Sequence, residues 1–166
     1  ISLRRPLPVN ILSDLRHPFD RPVLGFFDIA LEMVLIRPRK VIVALVKDTP
    51  FGVLPLRELY ASIVVHEIIH GALHQNSVRH VMSYTAGEYL AYALQIESLA
   101  PGVRDQFLQS VAKRLTMKNF VFSDVLLSLD PFLFAAHAYE HLTASQNPCS
   151  YLTALMEGEV AFISAL

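Results

Sequence analysis

Hydrophobic residues follow two different spacings along this chain, and the change of spacing divides it into a strand-rich first third and a helical remainder. Short β-branched runs bounded by proline and glycine are typical of strands; they predict strands at residues 7–12, 23–27, 32–36 and 41–46. The first strand is expected to start after Pro8, because proline cannot donate to a β-ladder. Periodicity leaves a helix open for residues 41–46, and the basic residues 37–40 predict a solvated turn.

From Pro55 onward, apolar residues recur three and four positions apart, which is the period of a helix. Proline is well suited to the first position of a helix, so a long helix is predicted at residues 55–75. Further helices are predicted at residues 85–100, 102–115, 122–129, 131–144 and 148–166. Residues suited to capping precede three of them, namely Ser83 or Thr85, Asp130 and Asn147.

These elements predict an α+β fold in a single domain that spans residues 1–166. A small, mostly antiparallel sheet within residues 7–50 is expected to pack on the first long helix, and residues 55–166 are expected to be helical. No internal repeat and no linker divides the sequence.

Composition narrows the classes of partner. The net charge is −1 and no basic stripe is visible, which argues against a nucleic-acid partner. Hydrophobic residues make up 53% of the chain, yet no uncharged apolar run reaches the length of about 18 residues that a transmembrane helix needs. The apolar excess is expected to fill a core or to cover a partner surface, including one for self-association.

Cys149 is the single cysteine, which excludes a disulfide framework and a cysteine-based zinc site. The chain begins at Ile1 without methionine, as expected of a trimmed product.

The first long helix carries His66-Glu67-Ile68-Ile69-His70, which has the form H-E-x-x-H. Residues four apart share a helix face, so both imidazoles can bind one Zn²⁺ at about 2.0–2.1 Å. Glu67 is turned about 100° around the axis, which keeps it off the metal but near a zinc-bound water. Zinc lowers the pKa of that water, and a nearby carboxylate can accept its proton. The pattern therefore predicts zinc as the cofactor and Glu67 as the catalytic base. Two surface histidines beside a solvated glutamate are the alternative, but the apolar neighbours indicate burial, and buried polar groups need partners.

A catalytic zinc has three protein ligands and one open position, and the candidates for the third ligand are His74, His80 and Glu88. On a straight helix His74 lies about 12 Å along the axis from His66, so it is expected to support the site from outside the ligand set or to face solvent. His80 lies in the connection between two helices and could fold back. Glu88 is favoured, because a short connection lets its helix pack antiparallel on the first one, and Gly87 would permit a close approach. The helix dipole alone also favours a glutamate in a first turn.

The H-E-x-x-H motif, followed eighteen positions after His70 by Glu88 on the next helix, resembles the gluzincin branch of the zincin metallopeptidases. This branch includes thermolysin-like and aminopeptidase-like enzymes. The resemblance covers about residues 7–100 and is closest to small, uncharacterised bacterial zincin-like proteins. It implies that His66, His70 and Glu88 bind zinc and that Glu67 is the base for hydrolysis of a peptide or protein substrate. It also implies that an edge strand lines the cleft, where an extended peptide could pair. The residues themselves leave the compartment unknown, and the resemblance favours an exported, periplasmic protein.

The sequence departs from the gluzincin pattern near the third ligand. No asparagine precedes Glu88, and Tyr92 stands four positions later in place of an acid. The support expected for a zinc-bound histidine is therefore not identified from the sequence. Asn76, the sixth residue after His70, breaks the glycine-and-histidine continuation of the metzincins, which argues against a three-histidine site.

A second motif, at residues 137–141, reads H-x-x-E-H and resembles the inverzincin signature. That family takes its third ligand from a glutamate far downstream, and Glu157 and Glu159 are too near. The motif is therefore interpreted as a chance match or as a supporting helix. Four residues are candidates for stabilising the oxyanion of a tetrahedral intermediate, with core packing as the alternative for each: His137, Tyr139, Tyr84 and Tyr92.

Three functional hypotheses follow. The leading one is a zinc-dependent metallopeptidase that cleaves peptide bonds with a zinc-bound water activated by Glu67. The second is a non-catalytic, zinc-stabilised interaction module with a degenerate peptidase fold, because the short chain leaves little room for a second substrate-binding lobe. The third has no metal. An open fourth position on zinc favours the enzyme, and a fourth protein ligand favours the module.

Overall fold

The computed structural model describes residues 2–15, 23–76, 82–113, 121–160 and 162. Within these residues, a three-stranded sheet at the N-terminal end is followed by seven helices, which confirms the α+β class. The strands are β1 (Val9–Ile11), β2 (Gly25–Asp28) and β3 (Met33–Ile36). The helices are α1 (Arg39–Val46), α2 (Leu56–Asn76), α3 (Tyr84–Glu97), α4 (Pro101–Ala112), α5 (Asp124–Leu129), α6 (Pro131–Ala144) and α7 (Pro148–Met156), with a 3-10 turn at Pro50–Val53.

The sheet is mixed, with strand order β1-β3-β2, so the prediction of a mostly antiparallel sheet is wrong. Strands β2 and β3 pair antiparallel, with Gly25 opposite Ile36, whereas β1 runs parallel to β3, with Val9 opposite Val34. Strand β3 takes the centre because it is the most apolar strand and is buried from Val34 to Ile36. Alternation along the sequence indicates a strand, but it does not specify which strands become neighbours.

Residues 41–46 belong to helix α1 and not to a fourth strand, so that prediction is also wrong. The helix starts directly after Pro38, whose carbonyl oxygen accepts from the amides of Val41 and Ile42 at 2.9 and 3.1 Å. Of its residues only Ile42 and Val46 are buried, one helical turn apart. Tertiary packing at this spacing overrides the strand preference of the β-branched residues. Arg37 does not sit in a solvated turn either, because its guanidinium group donates to the carbonyl oxygens of Leu15 and Val23.

Most helix starts lie within one or two residues of their predicted positions, and the caps explain why. Ser83, Asp130 and Asn147 each accept hydrogen bonds from amides in the first turn of α3, α6 and α7. Helix α7 ends at Met156 and does not continue to residue 166 as predicted. Gly158 has φ 75° there, a left-handed conformation that commonly terminates a helix. The predicted end of the third long helix, at residue 115, lies outside the described residues.

Helix α3 lies between α2 and α6 and forms the centre of the helical part. Tyr89, Leu90, Ala93 and Ile96 on this helix are fully buried. Strands β2 and β3 contact α2, so the sheet packs on the H-E-x-x-H helix as predicted. The motif is therefore held between the sheet and α3. No helix in the described part of the chain combines the length and apolar character needed to cross a bilayer.

Candidate metal centre

Helix α2 places His66 and His70 on one face, one turn apart. Their Nε2 atoms are 3.2 Å apart, and their ring centroids are 4.9 Å apart. The side chain of His66 is 11% exposed and that of His70 is 23% exposed. Both imidazoles thus point one nitrogen at a shared and nearly closed space.

Helix α3 brings Glu88 to the same space. One carboxylate oxygen lies 3.4 Å from His66 Nε2, and the other lies 3.4 Å from His70 Nε2. One ligand atom from each of the three residues lies within 4.8 Å of the others, and the group could hold a metal ion. A Cβ added at Gly87 would meet only His70 Nδ1, at 4.0 Å. The close packing of α2 on α3 therefore does not depend on the glycine that the sequence suggested for it.

The donor set and its dimensions fit a small divalent ion. Two donors bound tetrahedrally to one ion at about 2.0–2.1 Å are separated by about 3.3–3.4 Å. The two Nε2 atoms are separated by 3.2 Å, close to that value, and each lies 3.4 Å from a different oxygen of Glu88. Two imidazole nitrogens and one carboxylate are also a ligand set typical of zinc with one position left open.

The electrostatics of this group favour an ionised Glu88. Burial alone would raise the pKa of the Glu88 carboxyl, but His66 and His70, which donate to it and carry positive charge in their protonated forms, hold that pKa well below its ordinary value. Burial would lower the pKa of His70, but the hydrogen bond and charge of Glu88, with the charge of Glu67, raise it overall. The carboxylate is therefore kept in the form that a metal requires.

Glu67 is buried beside the three residues and faces strand β2. Burial raises the pKa of its carboxyl, against the lowering effect of His66, His70 and a hydrogen bond from the Phe27 backbone amide. A Cβ added at Gly25 would lie 3.2 Å from Glu67 Cγ and 3.5 Å from its Oε1. Strand β2 therefore packs closely against the Glu67 side chain at Gly25. A raised pKa moves a carboxyl group toward the range that suits a general base.

Two of the four residues proposed for oxyanion stabilisation lie at this centre. The ring of Tyr92 packs edge-on against His66, with centroids 4.5 Å apart. Burial and then the charges of Glu88, Tyr84 and Glu67 raise the pKa of Tyr92 well above its ordinary value, so it keeps its proton. Tyr84 begins α3, is 67% exposed and shares a helix face with Glu88 and Tyr92. The Tyr92 phenol is therefore a hydrogen-bond donor near the carboxylates of Glu88 and Glu67.

The remaining candidates lie elsewhere. His74 Nε2 is 3.6 Å from Glu32, and its ring packs on Phe27, so it is outside the ligand group. His137 pairs with Glu140 on α6 at 3.5 Å. Arg104 lies over the ring of Tyr139, which packs against the core.

The inverted motif forms no metal group in the described residues. Its helix α6 packs on α3, which agrees with the interpretation as a supporting helix. His80, one of the candidates for the third ligand, lies outside the described residues.

Sequence reasoning missed Gln95, which contacts His66 at Nδ1, and Ser62, which contacts Gln95. Gln95 Oε1 is 3.0 Å from His66 Nδ1, and its amide nitrogen is 3.3 Å from Ser62 Oγ. The sequence does contain a signal, because Gln95 is two helical turns after Glu88 and Ser62 is one turn before His66. Gln95 therefore shares a helix face with Glu88, and Ser62 shares a helix face with His66.

The chain belongs to DUF6639, a family of unknown function, whose model matches residues 1–165. No curated protein and no solved structure matches the chain.

Proposed function

We propose that this protein is a zinc-dependent peptidase of the zincin type, in which His66, His70 and Glu88 hold the metal and Glu67 is the general base. The observation that carries the proposal is the convergence of the three ligands beside a buried second carboxylate that is not among them. A purely structural metal site does not need such a carboxylate. General-base chemistry does, because the group must reach a proton without occupying the metal.

The donor set supports zinc as the metal. Two histidines and one carboxylate also bind non-haem iron(II), so the metal content has to be measured. The adjacent Glu67 favours hydrolysis over oxygen chemistry. When bound, zinc would supply a Lewis acid that polarises a substrate carbonyl and lowers the pKa of water.

The protein groups then have separate tasks. Glu67, packed against strand β2 at Gly25, would accept a proton from the attacking water and pass it to the leaving amine. Tyr92 and Tyr84 would donate hydrogen bonds to the oxyanion. The ring of Tyr92 also limits the orientations that His66 can adopt, because the two rings pack edge to face.

Strand β2 is the proposed docking edge for an extended peptide. It lies at one edge of the sheet, and the backbone amide of Arg37 donates a hydrogen bond to the Leu24 carbonyl oxygen. In an antiparallel pair, the backbone N–H and C=O groups of one residue bond the partner strand, and those of the next residue point away from it. Gly25 and Phe27 therefore direct their backbone groups away from β3. A peptide paired along this edge would pass beside Glu67.

The test combines metal analysis with hydrolysis of a broad peptide library by the purified protein. We expect one zinc per chain and cleavage that Glu67→Gln reduces by about 10²–10⁴-fold without loss of zinc. Glu157→Gln, at an exposed position after α7, is the matched control and should retain full activity. Iron in place of zinc, or activity that is indifferent to Glu67→Gln, contradicts the proposal. Bound zinc without hydrolysis of any peptide would instead favour a non-catalytic module.

A further inference from the structure

A chain of three hydrogen bonds runs from His66 into the protein interior. His66 Nδ1 lies 3.0 Å from Gln95 Oε1, and Gln95 Nε2 lies 3.3 Å from Ser62 Oγ. Ser62 Oγ lies 2.9 Å from the carbonyl oxygen of Leu59. Gln95 is 2% exposed and Ser62 is 1% exposed. The chain is therefore shielded from solvent, and its members must satisfy one another.

The last member of this chain fixes the direction of every bond in it. A backbone carbonyl oxygen can only accept, so the Ser62 hydroxyl donates to Leu59. Ser62 Oγ then accepts from Gln95, which must turn its NH₂ group toward the serine and its oxygen toward His66. An amide oxygen can only accept, so His66 Nδ1 carries a hydrogen. In the neutral ring, the lone pair is thereby left on Nε2, the atom that faces Glu88 and His70.

We infer that Gln95, oriented by Ser62, is the positioning residue that holds His66 in its metal-binding tautomer and ring orientation. This inference rests on the proposed metal centre. Supporting groups of this kind are frequently carboxylates, whereas here the group is a neutral amide. Gln95 therefore aligns the ligand without adding a buried negative charge beside Glu67 and Glu88.

The tautomer can be measured without metal and without substrate. Long-range ¹H–¹⁵N correlation spectra of the metal-free protein, recorded where the ring is neutral, distinguish the two forms of His66. We expect the Nδ1–H form in the wild type and a mixture or the Nε2–H form in Gln95→Leu. Gln95→Glu retains an acceptor at this position and should restore the Nδ1–H form. Ile96→Val, a core truncation on the same helix, is the control for general loosening of α3 and should leave the tautomer unchanged.

Zinc affinity, measured by competition with a chelator, provides the second readout. Loss of a group that supports a metal-bound histidine typically weakens binding by about 10–100-fold, and we expect this for Gln95→Leu. Gln95→Glu should bind within a few-fold of the wild type, and Ile96→Val should match the wild type. Should Gln95→Leu not fold, as judged by circular dichroism, Ser62→Ala tests the same chain. It frees the amide of Gln95 to turn and should shift the tautomer in the same direction.

An Nε2–H tautomer in the wild type overturns the inference. So does a Gln95→Leu or Ser62→Ala variant that folds and retains both tautomer and affinity. These outcomes differ from a failure of the proposed function, in which the wild type binds no zinc although His66 has the expected tautomer.

Discussion

Gly25→Ala is expected to damage the alignment of Glu67 while leaving the metal ligands in place. A Cβ at position 25 would lie 2.9 Å from the backbone oxygen of Leu35 and 3.2 Å from Glu67 Cγ. The first distance is shorter than real Cβ contacts, and the oxygen belongs to the central strand, so it cannot move alone. The φ angle of Gly25 is not positive. The substitution is therefore resisted by lack of space and not by backbone conformation.

The size of the effect follows from these contacts. Overpacking a closed site costs about 1–3 kcal/mol, and in a chain of this length each kcal/mol lowers Tm by about 2–4 °C. Displacing a catalytic group by about 1 Å can reduce turnover about 100-fold. Zinc affinity should stay within a few-fold of the wild type, because the close contacts of the new Cβ are with Leu35 and Glu67 and not with a ligand.

Calorimetry, zinc titration and peptide hydrolysis together test this prediction. Gly102→Ala in α4 is the matched control, since a Cβ there meets nothing within 4 Å. It should leave activity unchanged and should not lower Tm, because alanine is the better helix former. Gly25→Ala with the Tm and activity of the control would refute the steric reasoning. If zinc affinity fell together with activity, the claim that Gly25→Ala disturbs Glu67 without disturbing the zinc ligands would be refuted.

Three further predictions concern the metal group and the end of α7. Zinc at about 100 times its Kd should stabilise the metal-free protein by about 2.7 kcal/mol; His70→Ala should abolish this gain in calorimetry, and an equal gain in the variant contradicts the ligand set. In the metal-free protein, the difference in unfolding free energy between wild type and Glu88→Gln should be largest between pH 4.5 and 6.5. The lowered pKa of Glu88 means that this stability is lost as pH falls below 4.5, and the raised pKa of His70 means that it is lost as pH rises above 6.5; denaturant titrations that give a pH-independent difference contradict the pairing. Gly158→Ala should cost about 1–2 kcal/mol in urea unfolding, because φ is 75° there, and an unchanged midpoint would show that the left-handed turn is not required.

The spacing rules predict most of the metal group because its geometry is largely local. His66 and His70 share a face through the period of one helix, and a short connection brings Glu88 alongside. The helix caps were likewise predictable, since Ser83, Asp130 and Asn147 act on amides two or three residues away. Local chemistry thus accounts for the starts of α3, α6 and α7 and for the three candidate ligands.

Features that depend on distant packing were not predictable. Residues 41–46 form a helix because Ile42 and Val46 find a core one turn apart, which their β-branched neighbours do not indicate. Strand order in the sheet depends on which strand is buried on both sides. Gln95 contacts a histidine 29 positions earlier in the sequence, and only the side-by-side packing of α2 and α3 brings them together.

Anomalous scattering at the zinc absorption edge, from crystals grown with zinc, tests the central claim most directly. The account predicts one strong peak about 2.0–2.2 Å from His66 Nε2, His70 Nε2 and a Glu88 oxygen, with no fourth protein ligand. Glu67 should lie outside the coordination sphere. The absence of a peak within reach of these three side chains, or a fourth protein ligand that closes the site, would contradict it.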